Sequence, residues 1–421
     1  MSTTKENDPD RNYDRLKQLK EFDESKIGVK GLVDRGLSTI PSFFVHPDSS
    51  NPPTNSTRSR HNIPVIDFTS PREILVQKIQ ESASSFGFFQ IINHGIPLAT
   101  INHLLNSVTS FNELPESEKM KYYSRDMAHG AAFSTNFDLY ISKAASWRDT
   151  LQLRLAPTPP DWDHVPSSCK EAIIDWDKEV VAIGEKLLGL LCEGLGLGNT
   201  DVLKEMSCLE ARIMAAHYYP YCPQPELTAG LTSHSDPGVL TVLVQNEVPG
   251  LQVKVGEEWV YVEPVEGAIV INIGDILQIM SNDKYISVEH RVLANPCKEP
   301  RVSVAVFLNP SLRDKVFGPL LELLSDEKPA HYQQFTFAER ARCGSAEKLT
   351  PKMEQKINKG DGSIGAVPIH SQVRKIRQEM EKINHPALQQ PEIRPVVHEI
   401  ARQKRSRSPL GLAQRPISVG N

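Results

Sequence analysis

Apolar and polar residues change rhythm along the 421-residue chain, and each rhythm predicts a different element. Ile173, Trp176, Val180, Ile183, Leu187 and Leu190 recur at three- and four-residue steps, so residues 171–195 carry one apolar stripe and predict a helix packed on a sheet. From 211 to 310 the rhythm shortens. Apolar runs at 239–245, 251–255, 259–262, 268–273 and 302–308 are separated by Gly, Pro, Asn and Asp, the mark of short strands and tight turns. Many short strands at close spacing predict a jelly roll or barrel. Helices first and strands after make the fold class α+β with a β core.

The first third reads more locally. Asn62-Ile63-Pro64-Val65-Ile66-Asp67-Phe68 predicts a short strand, and Ser70-Pro71-Arg72-Glu73 predicts a helix start with a capping box and Pro at the first helical position. Phe86-Gly87-Phe88-Phe89-Gln90-Ile91-Ile92 predicts a buried strand stopped by the turn Asn93-His94-Gly95. Residues 1–61 begin polar, pass through a short amphipathic stretch from Gly31 to Val45, and end rich in Ser, Asn, Pro and Arg. They predict an arm draped on a domain. The division is an arm (1–61), a region of helices and short strands (62–170), a jelly-roll domain with its long support helix (171–340) and a tail (345–421).

Charge separates the tail from the rest. Residues 351–421 hold thirteen Lys/Arg and six Asp/Glu, a net +7, which leaves −12 of the chain's −5 for residues 1–350. The tail predicts one helix at 372–383 and a disordered basic run around Arg402 to Pro409. The chain as a whole carries no basic field, so a small molecule is expected as ligand rather than nucleic acid or an anionic membrane. Six scattered cysteines without a Cys-x-x-Cys pair argue against a disulfide framework and a cysteine-built zinc site, and fit a reducing compartment. Met1 to Lys20 has no apolar core, and no apolar run nears the ~18 residues of a spanning helix. A cytoplasmic monomer is expected.

Candidate chemistry sits in the β-rich part. His234-Ser235-Asp236 places two metal-ligating side chains at i and i+2, on one face of an extended backbone. Alone it is equally a surface turn. His290 stands 54 residues after Asp236, at the end of the β-like run Tyr285-Ile286-Ser287-Val288-Glu289. Two histidines and a carboxylate on one face of an octahedron leave three positions open, as in non-heme Fe(II) oxygenases; a zinc hydrolase is the competing metal reading. Eleven residues past His290, Arg301 and Ser303 share a strand face, and a guanidinium with a hydroxyl suits the distal carboxylate of 2-oxoglutarate. A zinc hydrolase leaves that pair unexplained.

From about Gly31 to about Phe337 the chain resembles the plant Fe(II)/2-oxoglutarate-dependent dioxygenases, which have a double-stranded β-helix core. The matching pieces, in order, are Ile63-Pro64-Val65-Ile66-Asp67, Gly87-Phe88-Phe89-Gln90, Asn93-His94-Gly95-Ile96-Pro97, Tyr218-Tyr219-Pro220 through Glu226, His234-Ser235-Asp236, Gly250-Leu251-Gln252-Val253, Asn272 with Gly274-Asp275, His290-Arg291-Val292 and Arg301-Val302-Ser303. The resemblance implies that His234, Asp236 and His290 bind Fe(II), that Arg301 and Ser303 bind the C5 carboxylate of 2-oxoglutarate with Tyr219 close by, and that Phe307 lines the substrate pocket. The arm motifs Val29-Lys30-Gly31-Leu32-Val33-Asp34 and Ile40-Pro41-Ser42-Phe43-Phe44, with Ser146-Trp147-Arg148-Asp149-Thr150-Leu151, are similar to the subgroup called 1-aminocyclopropane-1-carboxylate oxidase homologues. Ethylene-forming oxidases proper begin near the Ile-Pro-Val-Ile-Asp segment and use ascorbate in place of 2-oxoglutarate. The implied reaction consumes O2 and 2-oxoglutarate, gives succinate and CO2, uses ascorbate as reductant, and hydroxylates, demethylates or desaturates a specialised metabolite.

Two departures stand out. His217 occupies a position where many relatives carry Asn, which predicts a residue beside the ligands rather than a fourth one. From Ala338 onward the chain leaves the family's pattern of a helix that closes over the pocket. The second reading is therefore a binding or regulatory protein that keeps the fold without turnover.

Overall fold

The computed structural model describes residues 9–46, 62–311 and 315–336. The tail, its helix at 372–383 and the segment expected to replace the closing helix lie outside the described residues. No described helix is long and apolar enough to cross a membrane.

The helices are α1 (Pro9–Ser25), α2 (Gly28–Asp34), α3 (Arg72–Ser85), α4 (Leu98–Asn112), α5 (Glu116–Lys119), α6 (Ser167–Leu195), α7 (Val202–Glu205) and α8 (Asp275–Met280). The strands run β1 (Val65–Asp67), β2 (Phe88–Ile92), β3 (Ala131–Ser134), β4 (Asp149–Ala156), β5 (Ala211–Tyr219), β6 (Ala229–His234) and β7 (Leu240–Gln245). They continue as β8 (Leu251–Val255), β9 (Glu258–Tyr261), β10 (Ile269–Ile273), β11 (His290–Leu293), β12 (Arg301–Asn309), β13 (Val316–Phe317) and β14 (Phe335–Thr336).

Eight strands form one sheet in the order β1-β2-β10-β7-β12-β5-β4-β3, and four form a second in the order β6-β11-β8-β9. The two sheets are the walls of the jelly roll. In β12 Val302, Val304, Val306 and Leu308 join the core cluster shared with α6, while Arg301, Ser303, Ala305 and Phe307 on the alternate positions line the cleft between the sheets. Each fully buried aliphatic on the helix side contributes about 1.5–3 kcal/mol. This strand holds the site in place because its other face is pinned.

The predicted stripe on α6 is buried at all six positions, and the helix stops at Gly196, whose φ of +77° favours glycine. Two local expectations change. No side chain caps α3: Pro71 occupies the N-cap with ψ 149°, and Ser70 is used in a turn, donating its N–H to Asp67 O. The alternating run before His290 is not a strand, since Tyr285 N–H donates to Ser281 Oγ and Ser287 N–H to Gln278 Oε1, so side chains of α8 and its end replace ladder partners.

The described part of the arm carries a helix, α1, that its polar composition hid. Leu19 and Phe22 of α1 bury against Phe43, Phe44 and Trp147 in a separate apolar cluster. Asp149, at the start of β4, accepts from Val29 N–H and Lys30 N–H, each at 2.8 Å, and from Thr135 Oγ1 at 2.5 Å. The carboxylate thus satisfies the first free N–H groups of α2.

Candidate active site

His234, the last residue of β6, pairs directly with His290, the first of β11, and their ring centroids lie 4.2 Å apart. Asp236 sits in the turn beyond β6, where its carbonyl accepts from Asp275 N–H at 2.8 Å. Gly274 permits that crossing: a Cβ there would stand 2.2 Å from the Gly238 carbonyl oxygen. Gly274 and Asp275 therefore serve the Asp236 turn through their backbone.

Asp236 Oδ1 lies 3.6 Å from Nε2 of His234 and 3.6 Å from Nε2 of His290. Both Nδ1 atoms turn away, towards the Thr232 carbonyl at 2.9 Å and the Val288 carbonyl at 3.3 Å. Those carbonyls select the Nδ1–H tautomer and leave both Nε2 lone pairs on the Asp236 side of the rings, available to a metal. The other carboxylate oxygen, Oδ2, accepts from Thr241 Oγ1 at 2.5 Å and Asn272 Nδ2 at 2.8 Å. Burial and then the adjoining His290 push His234 down to about 4. Burial raises Asp236, but His290, His234, Thr241 and Asn272 outweigh it and hold the carboxyl below its ordinary value. A neutral imidazole and an ionised carboxylate are the forms a divalent cation takes as ligands.

On the opposing sheet Arg301 pairs with Tyr219, and Ser303 with His217. Arg301 is fully buried; Nη1 donates to Ser303 Oγ at 3.2 Å and Nη2 to Gln245 Oε1 at 2.6 Å. The Tyr219 hydroxyl lies close enough to support the guanidinium charge, yet Arg301 Nε, Tyr219 Oη and Gln245 Nε2 have no well-formed hydrogen bond among the described residues. Burial lowers the Arg301 pKa because the charge has no carboxylate against it.

Triad and guanidinium share one cleft of about 450 Å³, open mouth included, whose apolar lining includes Phe88, Leu231, Leu243, Val270 and Phe307. His217 also lines it, with Nδ1 2.9 Å from Thr150 Oγ1. Burial, then Arg148 and Arg301, hold His217 well below its ordinary pKa, so it is neutral. The structure thus gathers every residue singled out in the sequence, His234, Asp236, His290, Arg301, Ser303, Tyr219 and Phe307, into one space.

The donor set fits iron: its three ligand atoms lie within 4.8 Å of one another. The orphaned buried cation fits a carboxylate. Residues 211–310 match the 2OG-Fe(II) oxygenase superfamily, and residues 63–171 match the non-haem dioxygenase in morphine synthesis N-terminal family. The 1-aminocyclopropane-1-carboxylate oxidase homolog 1 of Arabidopsis thaliana is 47% identical over 341 residues, 78% of this chain and 92% of that protein. The chain belongs to the 2OG-Fe(II) oxygenase superfamily. Homolog 11 of the same plant is 44% identical over 338 residues, again 78% and 92% of the two chains. A crystal structure of JOX2 in complex with 2OG, Fe, and JA superposes with a TM-score of 0.66 at 32% identity, covering 74% of this chain and 91% of that one. As a 2OG-Fe(II) oxygenase the protein is an oxidoreductase that uses Fe(II) and 2-oxoglutarate.

Three supporting residues escaped the sequence reading in these roles. Thr241 and Asn272 orient the Asp236 carboxylate, and Gln245 braces Arg301. Each is a polar side chain in an otherwise apolar strand, which is the signal that could have found it.

Proposed function

We propose that the protein oxidises a small specialised metabolite, with His234, Asp236 and His290 as the Fe(II) ligands and Arg301, Ser303 and Tyr219 as the 2-oxoglutarate anchor. The observation that carries this is the buried Arg301 guanidinium, which meets no carboxylate among the described residues yet faces the same cleft as the triad. Fe(II) with 2-oxoglutarate and O2 supplies an oxidant strong enough for unactivated C–H bonds, the co-substrate leaving as succinate and CO2, with ascorbate as the reductant that keeps the metal ferrous.

The chain's own residues do the rest. Arg301 neutralises the distal carboxylate and Ser303 Oγ accepts from the same guanidinium, fixing its plane for a fork-like contact. The carbonyls of Thr232 and Val288 hold the histidine tautomers, so the ligating nitrogens stay aimed without reorganisation. Phe307, Leu231, Leu243 and Val270 form an apolar wall that excludes water and orients a carbon skeleton. Neutral His217, held through Nδ1, presents its remaining ring edge to the cleft as a polar reference for substrate.

An apolar wall with few polar groups suits an aromatic or polycyclic compound, which is then hydroxylated, demethylated or desaturated. Five intact specific side chains speak against a binding protein without turnover. The test is aerobic incubation with Fe(II), 2-oxoglutarate, ascorbate and a panel of aromatic and polycyclic plant metabolites, followed by mass spectrometry. Oxidised product with matching succinate supports the reading. Succinate stimulated by no member of the panel, while compact polar acids do stimulate it, overturns the substrate class.

A further inference from the structure

Among the described residues a second group of three metal-ligating side chains exists, away from the cleft and on the surface: His129, Asp161 and His164. Their ligand atoms also lie within 4.8 Å of one another. We propose that these three residues bind a divalent transition cation of the zinc type, as a clip between the turn before β3 and the segment after β4.

Position comes from the backbone. Asp161 N–H donates to the His129 carbonyl at 2.8 Å, and Arg154 N–H to the Gly130 carbonyl at 2.8 Å, so the two segments are laced together on both sides of the cluster. Gly130 adopts φ +75°, and a Cβ on it would stand 2.9 Å from Pro160 Cα. The segments are therefore in close contact where His129 leaves one and Asp161 leaves the other.

The side chains are arranged around one carboxylate oxygen. Asp161 Oδ2 lies 3.1 Å from His164 Nδ1 and 3.9 Å from His129 Nδ1. Its partner oxygen, Oδ1, accepts from Asp163 N–H at 3.2 Å and so fixes the carboxylate plane. The imidazoles stack with centroids 3.8 Å apart and planes 6° from parallel. Parallel rings cannot aim both in-plane lone pairs at one point, so one imidazole turns about its Cβ–Cγ bond on binding. Both rings are about half exposed, which leaves room for that turn.

Two imidazole nitrogens and one carboxylate oxygen are a borderline donor set, suited to zinc, copper or nickel rather than to calcium or magnesium, which take oxygen. Water completes the coordination of so exposed a site. The cation adds a crosslink that does not depend on the triad, because none of these ligands belongs to the strands that carry it.

The test is calorimetric titration of Zn2+ into the full chain and into His129→Ala/His164→Ala. One fewer zinc bound per chain, or one site weakened by about tenfold or more, is the expected result, with the zinc-induced rise in unfolding temperature reduced. The single variant His164→Asn, which keeps a polar side chain of similar size, is read by the same criterion should the double variant fold poorly. Unchanged stoichiometry and affinity in these variants overturns the proposal.

Discussion

The guanidinium of Arg301 lies 5.0 Å from the ring centroid of Tyr219, its direct partner across the β5–β12 ladder, and neither Arg301 Nε nor the Tyr219 hydroxyl has a well-formed hydrogen bond among the described residues. A fully buried cation held this way gains from the ring face but is left short of an anion. Replacing it with an apolar side chain of similar length separates binding from folding. In Arg301→Met the KM for 2-oxoglutarate rises about tenfold to a hundredfold, the worth of a charge-assisted hydrogen-bond pair. The unfolding temperature measured without co-substrate stays level or rises, because a buried uncompensated charge is gone. A large fall in unfolding temperature with unchanged KM contradicts the assignment.

Thr241 and Asn272 reserve one Asp236 oxygen for themselves and leave the other to the histidines. Thr241→Val frees the carboxylate to rotate and weakens Fe(II) binding by about 10–100-fold. Anaerobic Fe(II) titration in the presence of 2-oxoglutarate measures this. Equal affinity in variant and wild type removes the positioning role.

Gly28 opens α2 with φ +68°, and a Cβ on it would lie 2.7 Å from both oxygens of Asp149. Gly28→Ala therefore costs at least the about 1–2 kcal/mol of a left-handed alanine and displaces the carboxylate from the N–H groups of α2. The expected result is a lower unfolding temperature and faster proteolytic release of residues N-terminal to Gly28. Unchanged protease sensitivity counts against the cap.

Asp23 of α1 accepts from Arg125 Nε at 2.7 Å, Tyr123 Oη at 2.6 Å and Tyr140 Oη at 2.8 Å. Burial pushes its carboxyl up, yet these donors, Arg125 first, hold it below the ordinary value. A depressed folded-state pKa adds stability above the unfolded pKa of about 3.9, and that stability is lost as pH falls through the folded value. Thermal unfolding of wild type and Asp23→Asn therefore differs most above about pH 5, with the wild type higher, and the gap narrows from about pH 4 downward as the pH falls towards the folded value. A constant gap across that range contradicts the account.

The site was legible where period and chemistry coincide. His234 with Asp236, and Arg301 with Ser303, are i, i+2 pairs on single strands, so their common face follows from the backbone. The register that brings His290 opposite His234, and Tyr219 opposite Arg301, joins residues 56 and 82 positions apart and belongs to the sheets. Gln245 and Asn272 were hidden for the same reason, since their partners, Arg301 and Asp236, are distant in sequence and belong to another strand and to the turn beyond β6. The helix α1 was missed because its buried contribution is small, with Leu19 and Phe22 in a charged sequence. Asp149, spaced 120 residues from Val29, looked like part of a motif; its work as the cap of α2 needed the fold.

The most direct test of the central claim is an anaerobic titration of the Fe(II)-loaded full chain with 2-oxoglutarate, followed by visible absorption. Growth of the metal-to-ligand charge-transfer band in the wild type, its loss in His290→Ala, and a shift of its midpoint to higher 2-oxoglutarate in Arg301→Met are the predicted results. A wild type with no band, or a band of equal intensity in His290→Ala, contradicts an iron and co-substrate site at these residues.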